Sequence, residues 1–240
     1  MRRLALVLAL AVPAGGAAAQ DFPGFVRQAT GGGHAVTEVV QPHPVRRAGV
    51  VTTRFELRAG DCDAPCPADT ERARMVEGGA GQPTRELFYT VFSFFIPRAT
   101  AATPGLAVTL ATFEQGDAAL LSFRWTESGL VADGPAFGQA DVLVPANLLA
   151  GRWHDVLVEH VWTGRPDGFL RVWVNGQRGR GFAGATMAGA GAVRFSYGLS
   201  RAPVSAATRF GARAPTQVVY FAHVRRGADR GAVDIDLSVR

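Results

Sequence analysis

Arg54, Glu56 and Arg58 occupy alternate positions of one short segment, separated by Phe55 and Leu57. In an extended chain that spacing sets the charged trio on one face and the apolar pair on the other. Two guanidinium groups steadied by a carboxylate between them form a fork suited to a planar anion, a carboxylate or a sulfate. The same pattern also describes a salt-bridge ladder on an outer face, which adds little stability, and both readings stay open here. Groups able to move protons are few. Tyr89 and Tyr197 offer phenols, which act as bases only beside a cation or with a depressed pKa. In a strand either is equally a half-buried structural tyrosine. Glu114 offers a carboxylate that an anionic substrate would repel. It suits a neutral sugar better, where Glu56, Glu86 or Glu127 could complete a glycosidase pair, although no Glu-x-Asp-x-x-Glu strand is present. His154 and His160 sit inside aromatic runs and read as hydrogen-bonded structural groups. His223 has no evident role.

These residues belong to a chain of 240 residues whose 25 basic side chains are all arginine. Without lysine there is no ammonium base and no Schiff-base nucleophile, so any anion must be held by guanidinium forks. The N-terminus reads as a secretory signal peptide over residues 1–19. Arg2 and Arg3 are followed by the short apolar run Leu4 to Val12 and by Ala17-Ala18-Ala19. The run is too short to cross a bilayer, and no later stretch reaches about 18 apolar residues. The expected mature domain, residues 20–240, is periplasmic or secreted, and its formal charge falls from +5 to about +3 once Arg2 and Arg3 are removed. That balance, with no basic run, does not suggest nucleic acid. A monomer with no membrane contact after signal removal is expected. Cys62 and Cys66 are a close pair in an exported chain and read as a small disulfide loop. A metal site would want more ligands, and Asp61, Asp63 and Asp69 suit turns.

The elements that must position these groups read as strands. Val50 to Arg58, Glu86 to Pro97, Leu106 to Phe113, Ala119 to Trp125 and Gly138 to Val144 are extended segments separated by turn residues. Trp153 to Trp162 and Phe169 to Val174 form a hairpin, and Asn175-Gly176 is a strong turn signal beyond it. Val193 to Leu199, Gln217 to Val224 and Val233 to Val239 follow. Residues 20–33, 60–83 and 179–192 read as loops. Single helical turns are expected near 72–76 and 145–149. Many short strands without a long helical period predict an all-β, single-domain sandwich.

Several pieces then match one pattern. They are Arg54-Phe55-Glu56-Leu57-Arg58 with Gly60-Asp61-Cys62, Cys66, Asp69-Thr70-Glu71-Arg72, Tyr89 with Pro97, Trp153-His154-Asp155, Asp167-Gly168, Val174-Asn175-Gly176, Val219-Tyr220-Phe221 and Arg225-Arg226-Gly227. In this order the chain resembles the secreted bacterial polysaccharide lyases of the heparin lyase I-like group, from about residue 50 to the end. The resemblance implies a concanavalin A-like jelly-roll sandwich of two antiparallel sheets. It also implies β-elimination on an acidic, uronate-containing polysaccharide or oligosaccharide. Such chemistry must neutralise the uronate carboxylate, remove the C5 proton and protonate the departing oxygen.

Related lyases carry Gln-x-His on one strand and Lys-x-Gly-x-Tyr on another. The corresponding positions here are Thr112 and Glu114, and Ser196 and Ser200. The acid expected in the Glu-Arg loop is Arg74, and the Asp expected after Tyr-Phe is Ala222. By the resemblance, Tyr197, Tyr89 and Glu114 remain as proton-handling candidates. The expected substrate contacts are Arg54, Glu56, Arg58, Thr112, Arg124 and Arg201. Trp125 is the preferred sugar platform. No cofactor is expected, and the sequence does not decide whether calcium is needed. A catalytically degenerate carbohydrate-binding module is the alternative, with a glycoside hydrolase on neutral glucan as the lesser one.

Overall fold

A computed structural model describes residues 24–40, 43–47, 49–62, 69–100, 106–204, 214–233 and 235. The expected signal peptide and Cys66 lie outside these residues. Among the described residues, fourteen strands form two antiparallel sheets of seven, packed face to face. The front sheet runs β1 (Phe25–Ala29), β4 (Glu71–Glu77), β13 (Val193–Ala202), β6 (Ala107–Gln115), β7 (Ala118–Thr126), β8 (Gly129–Asp133), β9 (Asp141–Pro145). The back sheet runs β12 (Gln177–Ala183), β11 (Phe169–Val174), β10 (Trp153–Val161), β5 (Phe88–Phe95), β14 (Gln217–Gly227), β3 (Thr53–Leu57), β2 (Val36–Glu38). This is the jelly-roll sandwich that the sequence predicts.

The inner faces of both sheets meet in one aromatic core that includes Phe55, Phe92, Phe94, Phe113, Phe123, Phe195 and Phe221. Edge-to-face contacts dominate parts of it, as between Phe55 and Phe221 at 5.5 Å and between Phe92 and Phe123 at 5.4 Å. Each such pair adds about 0.5–1.5 kcal/mol beyond the area it buries. Trp125 and Trp162 are also buried in this core, so Trp125 is no sugar platform.

The β10–β11 hairpin supplies the middle of the back sheet, and its motif is structural. Neutral His154 donates from Nε2 to the Leu149 carbonyl at 2.9 Å and accepts at Nδ1 from the Asn175 amide at 3.1 Å. The Asn175 side-chain oxygen accepts from the Asp155 N–H at 3.0 Å. Burial lowers the His154 pKa, against the opposing effect of the Leu149 bond. Asp155 is buried beside Ser93 and forms an ion pair with Arg47 at 2.6 Å. The imidazole expected to be a satisfied structural group is one.

Several segments differ from expectation. Residues 60–83, read as a loop with a helical turn at 72–76, contain strand β4. Its two ends point Glu71 and Glu77 into the interior, which disguises the apolar alternation of Ala73 and Met75. Strand β1 lies in the Gly-rich lead-in, β12 begins the segment read as a 179–192 loop, and β8 was not anticipated. The strand expected over 233–239 begins instead as a helical turn, Arg230–Val233, and residues 236–240 lie outside the described ones. The turn expected at 145–149 is present as Ala146–Leu149. No helix among the described residues is long and apolar enough to cross a membrane.

Candidate functional site

The outer face of the front sheet gathers polar side chains from five adjacent strands. Register places Ser200 of β13 beside Arg72 of β4 and Thr109 of β6, and Thr109 beside Arg124 of β7. A parallel row joins Ser196, Thr112, Ser122 and Asp133. Between the rows, Arg74 lies opposite Gly198. That glycine has φ +132°, and a Cβ there would meet the Ala73 carbonyl oxygen at 2.4 Å. Only glycine fits, because that direction is filled by backbone and by the core ring of Phe55; beside it on the outer face lies a shallow hollow whose lining includes Arg74, Thr112, Ser196 and Ser200. A second hollow follows along the face at Ser122, Asp133 and Gly138.

Arg74 is the hub of this face. It donates to Glu114 at 2.8 Å, to the Ser196 hydroxyl at 3.4 Å and, from Nε, to Gln28 at 3.1 Å. Thr112 and Ser122 share a hydrogen bond of 3.1 Å. Arg124 is paired with Asp133. The Arg72 side chain is half-buried and makes no ion pair or hydrogen bond among the described residues. Arg194 stands exposed beside Glu114 across β13 and β6. The face thus carries four guanidinium groups against two carboxylates. Its chemistry is that of an anion-binding surface with hydroxyl donors between the cations. Glu114 is the one carboxylate beside the hub, and no tyrosine, histidine or lysine side chain stands in these rows among the described residues.

The structure separates the residues that the sequence put together. Thr112, Glu114 and Arg124 share the front face. Arg54 and Glu56 lie on strand β3 of the back sheet and Arg58 directly follows it, all facing away from the core and so away from the front sheet as well. There they form the ladder: Glu56 accepts from Arg54 at 2.6 Å and from Arg58 at 3.2 Å. Burial pushes the Glu56 carboxyl up, but the hydrogen bonds and charges of the two arginines outweigh it and hold it at about 2. Tyr89 is buried in a small apolar cluster on that same outer side, with Val91, Leu157, Val233 and Ile235.

Tyr197 is an interior residue. Alternation along β13 turns it inward with Phe195 and Leu199, and its ring packs on Phe25 at 5.2 Å and Phe221 at 5.3 Å. Burial raises its pKa, opposed only by the Arg226 charge. It therefore cannot stand in for a phenol at Ser196 or Ser200, because a one-residue shift in a strand changes faces. Gln115, at the end of β6, bonds Ala188 and Ala190 of the β12–β13 loop. Arg201 is fully buried, paired with Glu71 and donating to Gln217 and to the Arg58 carbonyl. It has no surface to offer a substrate. Arg72, Arg194, Ser122 and Asp133 were not anticipated as neighbours of Glu114; for Arg72 and Arg74 the signal was their alternation with Ala73 and Met75.

Comparison with known proteins agrees with this architecture. The structure is similar to that of an endo-β-1,4-glucuronan lyase from the fungus Trichoderma reesei, with TM-score 0.62, 16% identity, and coverage of 84% of this chain and 90% of that one. It is similar to the alginate lyase AlgAT5 of polysaccharide lyase family 7, with TM-score 0.51, 13% identity, and coverage of 73% and 76%. It is also similar to the catalytic domain of a glycoside hydrolase family 131 protein from Coprinopsis cinerea, with TM-score 0.54, 14% identity, and coverage of 77% and 73%. At these identities the likeness is one of fold. No curated protein matches the chain. The polysaccharide lyase family model matches residues 24–225, and the chain belongs to that family.

Proposed function

We propose that this chain is an exported, heparin lyase I-like protein that grips an acidic, uronate-bearing polysaccharide across the outer face of its front sheet. The observation that carries this reading is the excess of guanidinium groups on that face, with Arg72 left unpaired among the described residues. Arg72 and Arg124 stand in one row with Ser200 and Thr109 between them, a pattern suited to successive carboxylates and hydroxyls. The positions at which related lyases carry their amide, imidazole, ammonium and phenol are Thr112, Glu114, Ser196 and Ser200. On that account the face holds the polymer rather than cutting it.

A second reading rests on Glu114. Its carboxylate could take the C5 proton, the C4–O bond breaking as the freed electron pair forms the C4–C5 double bond. Water would protonate the departing oxygen and leave hydroxide. The carboxylate is held by Arg74 at 2.8 Å and would have to leave that partner to reach C5, so the elimination would be slow. The test is to incubate the purified mature protein with alginate, glucuronan and heparin, following absorbance in the unsaturated-uronate band and retention on immobilised polymer. Retention without an absorbance rise supports the binder. A rise that Glu114→Gln abolishes supports elimination. New reducing ends without that absorbance indicate hydrolysis and overturn both.

A further inference from the structure

We propose that a cleft at one end of the sandwich, away from the front face, is a second carbohydrate site that takes the carboxylate of a single uronic acid residue between Arg85 and Arg165. The uronate identity rests on the reading above; the anion-binding character does not. Three connections build the cleft. The β4–β5 connection is fixed by the Arg85 N–H to the Trp162 carbonyl at 2.8 Å. The β10–β11 turn bonds the β12–β13 loop through Thr163 and Thr186 at 2.8 Å. Gln115 clamps that loop from the end of β6. The cleft is open to solvent on one side, and its volume of about 620 Å³ is within the range of small-ligand sites, roughly 300–1,000 Å³. This is room for a sugar residue rather than a bare ion. Trp162 and Met187 form a buried floor, and Arg85, Arg165 and Thr84 form an exposed rim.

The cations at this rim are not used by the fold. The Arg85 side chain has no partner among the described residues. Arg165 meets only Asp167, at a loose 3.8 Å between two exposed groups. The N–H groups of Gly164, Gly189 and Gly191 face no protein acceptor among the described residues either. Two guanidinium groups and three amides without a hydrogen bond among the described residues share the lining of this one cleft, a donor-rich set suited to a carboxylate. Arg85 adds an independent sign. Its backbone has φ +64°, a left-handed conformation in which glycine is at ease and a long side chain is strained. A strained residue whose side chain holds nothing in the folded chain points to a role toward a ligand.

The experiment uses Arg85→Gly in the mature protein, which keeps the Arg85 N–H bond and relaxes the backbone. Sodium glucuronate is titrated while the amide signals of Gly164, Gly189 and Gly191 are followed, with glucose and sodium sulfate as comparators. The expected result is a glucuronate-induced shift at those glycines. Arg85→Gly weakens it tenfold or more with an unchanged or higher Tm, Arg72→Ala leaves it unchanged, and both comparators bind at least tenfold more weakly. Absence of a shift, sulfate binding as tightly as glucuronate, or a lowered Tm with unchanged affinity in Arg85→Gly each overturns the proposal. Loss of the shift in Arg72→Ala also overturns it, by assigning the sugar to the front face. Polymer retention is read separately, so a failed front face and a failed cleft give different results.

Discussion

Acid should weaken this protein through one imidazole. His160 on β10 is fully buried, facing Trp162 at 4.9 Å and Phe113 at 5.4 Å between ring centres. Its Nε2 pairs with the Thr90 hydroxyl at 3.3 Å, and its Nδ1 has no partner among the described residues. Burial alone pushes its pKa from 6.5 down to about 3. The folded-state pKa thus lies below the unfolded one. Above pH 6.5 both states are neutral and the full stability is present. As the pH falls toward 3 the unfolded chain binds a proton that the folded chain refuses, and stability is lost. At about 1.4 kcal/mol per pKa unit the ceiling is about 5 kcal/mol, of which about 2.5 kcal/mol is gone by roughly pH 4.5. His160→Leu removes the titration and leaves Thr90 with Gln82, its partner at 3.4 Å. Urea midpoints of both proteins at about pH 7 and pH 4.5 give the comparison, and the wild type should lose about 2.5 kcal/mol more than the variant. Parallel losses would refute the account and assign acid sensitivity to the paired carboxylates.

Three further outcomes are expected. Arg72→Ala should weaken retention on immobilised glucuronan about tenfold, about 1.4 kcal/mol, and flatten its salt dependence, read by elution in a salt gradient. Gly198→Ala should destabilise by more than about 2 kcal/mol in chemical denaturation, since the added methyl combines a carbonyl clash with an unfavourable φ. Arg201→Ala should cost about 3–5 kcal/mol, because it strands Glu71 as a buried charge; Arg201→Met with Glu71→Leu should recover most of that in the same denaturation assay.

The sandwich was legible because its central strands alternate or run apolar, and because Asn175-Gly176 marks a tight turn that the structure ties to His154 and Asp155. The ligand-facing surface was less so. Strand β4 was hidden by the two carboxylates at its ends, which look like loop residues until Arg201 and Arg226 are placed against them. Arg54 and Arg58 drew attention as a fork, and the alternation that made them conspicuous is the one that puts them on the back sheet. Which of two outer faces a strand shows depends on sheet order, and sheet order is a matter of long-range pairing that no local pattern encodes. Tyr197 was misplaced by a single position, enough to move a side chain from solvent to core.

The interior pairs of β4 have a wider consequence. Glu71 with Arg201 and Glu77 with Arg226 lock that strand's register from inside, since a slip by one residue would strand the buried charges of Glu71, Glu77 and Arg201. Nothing on the outer face takes part in the lock. Glu114 and Ser200 can therefore be exchanged without touching the lock, whereas Thr112 and Ser196 are buried and tolerate only side chains of similar size. The residues that fix the strand's register and those that give the outer face its polar character are different sets.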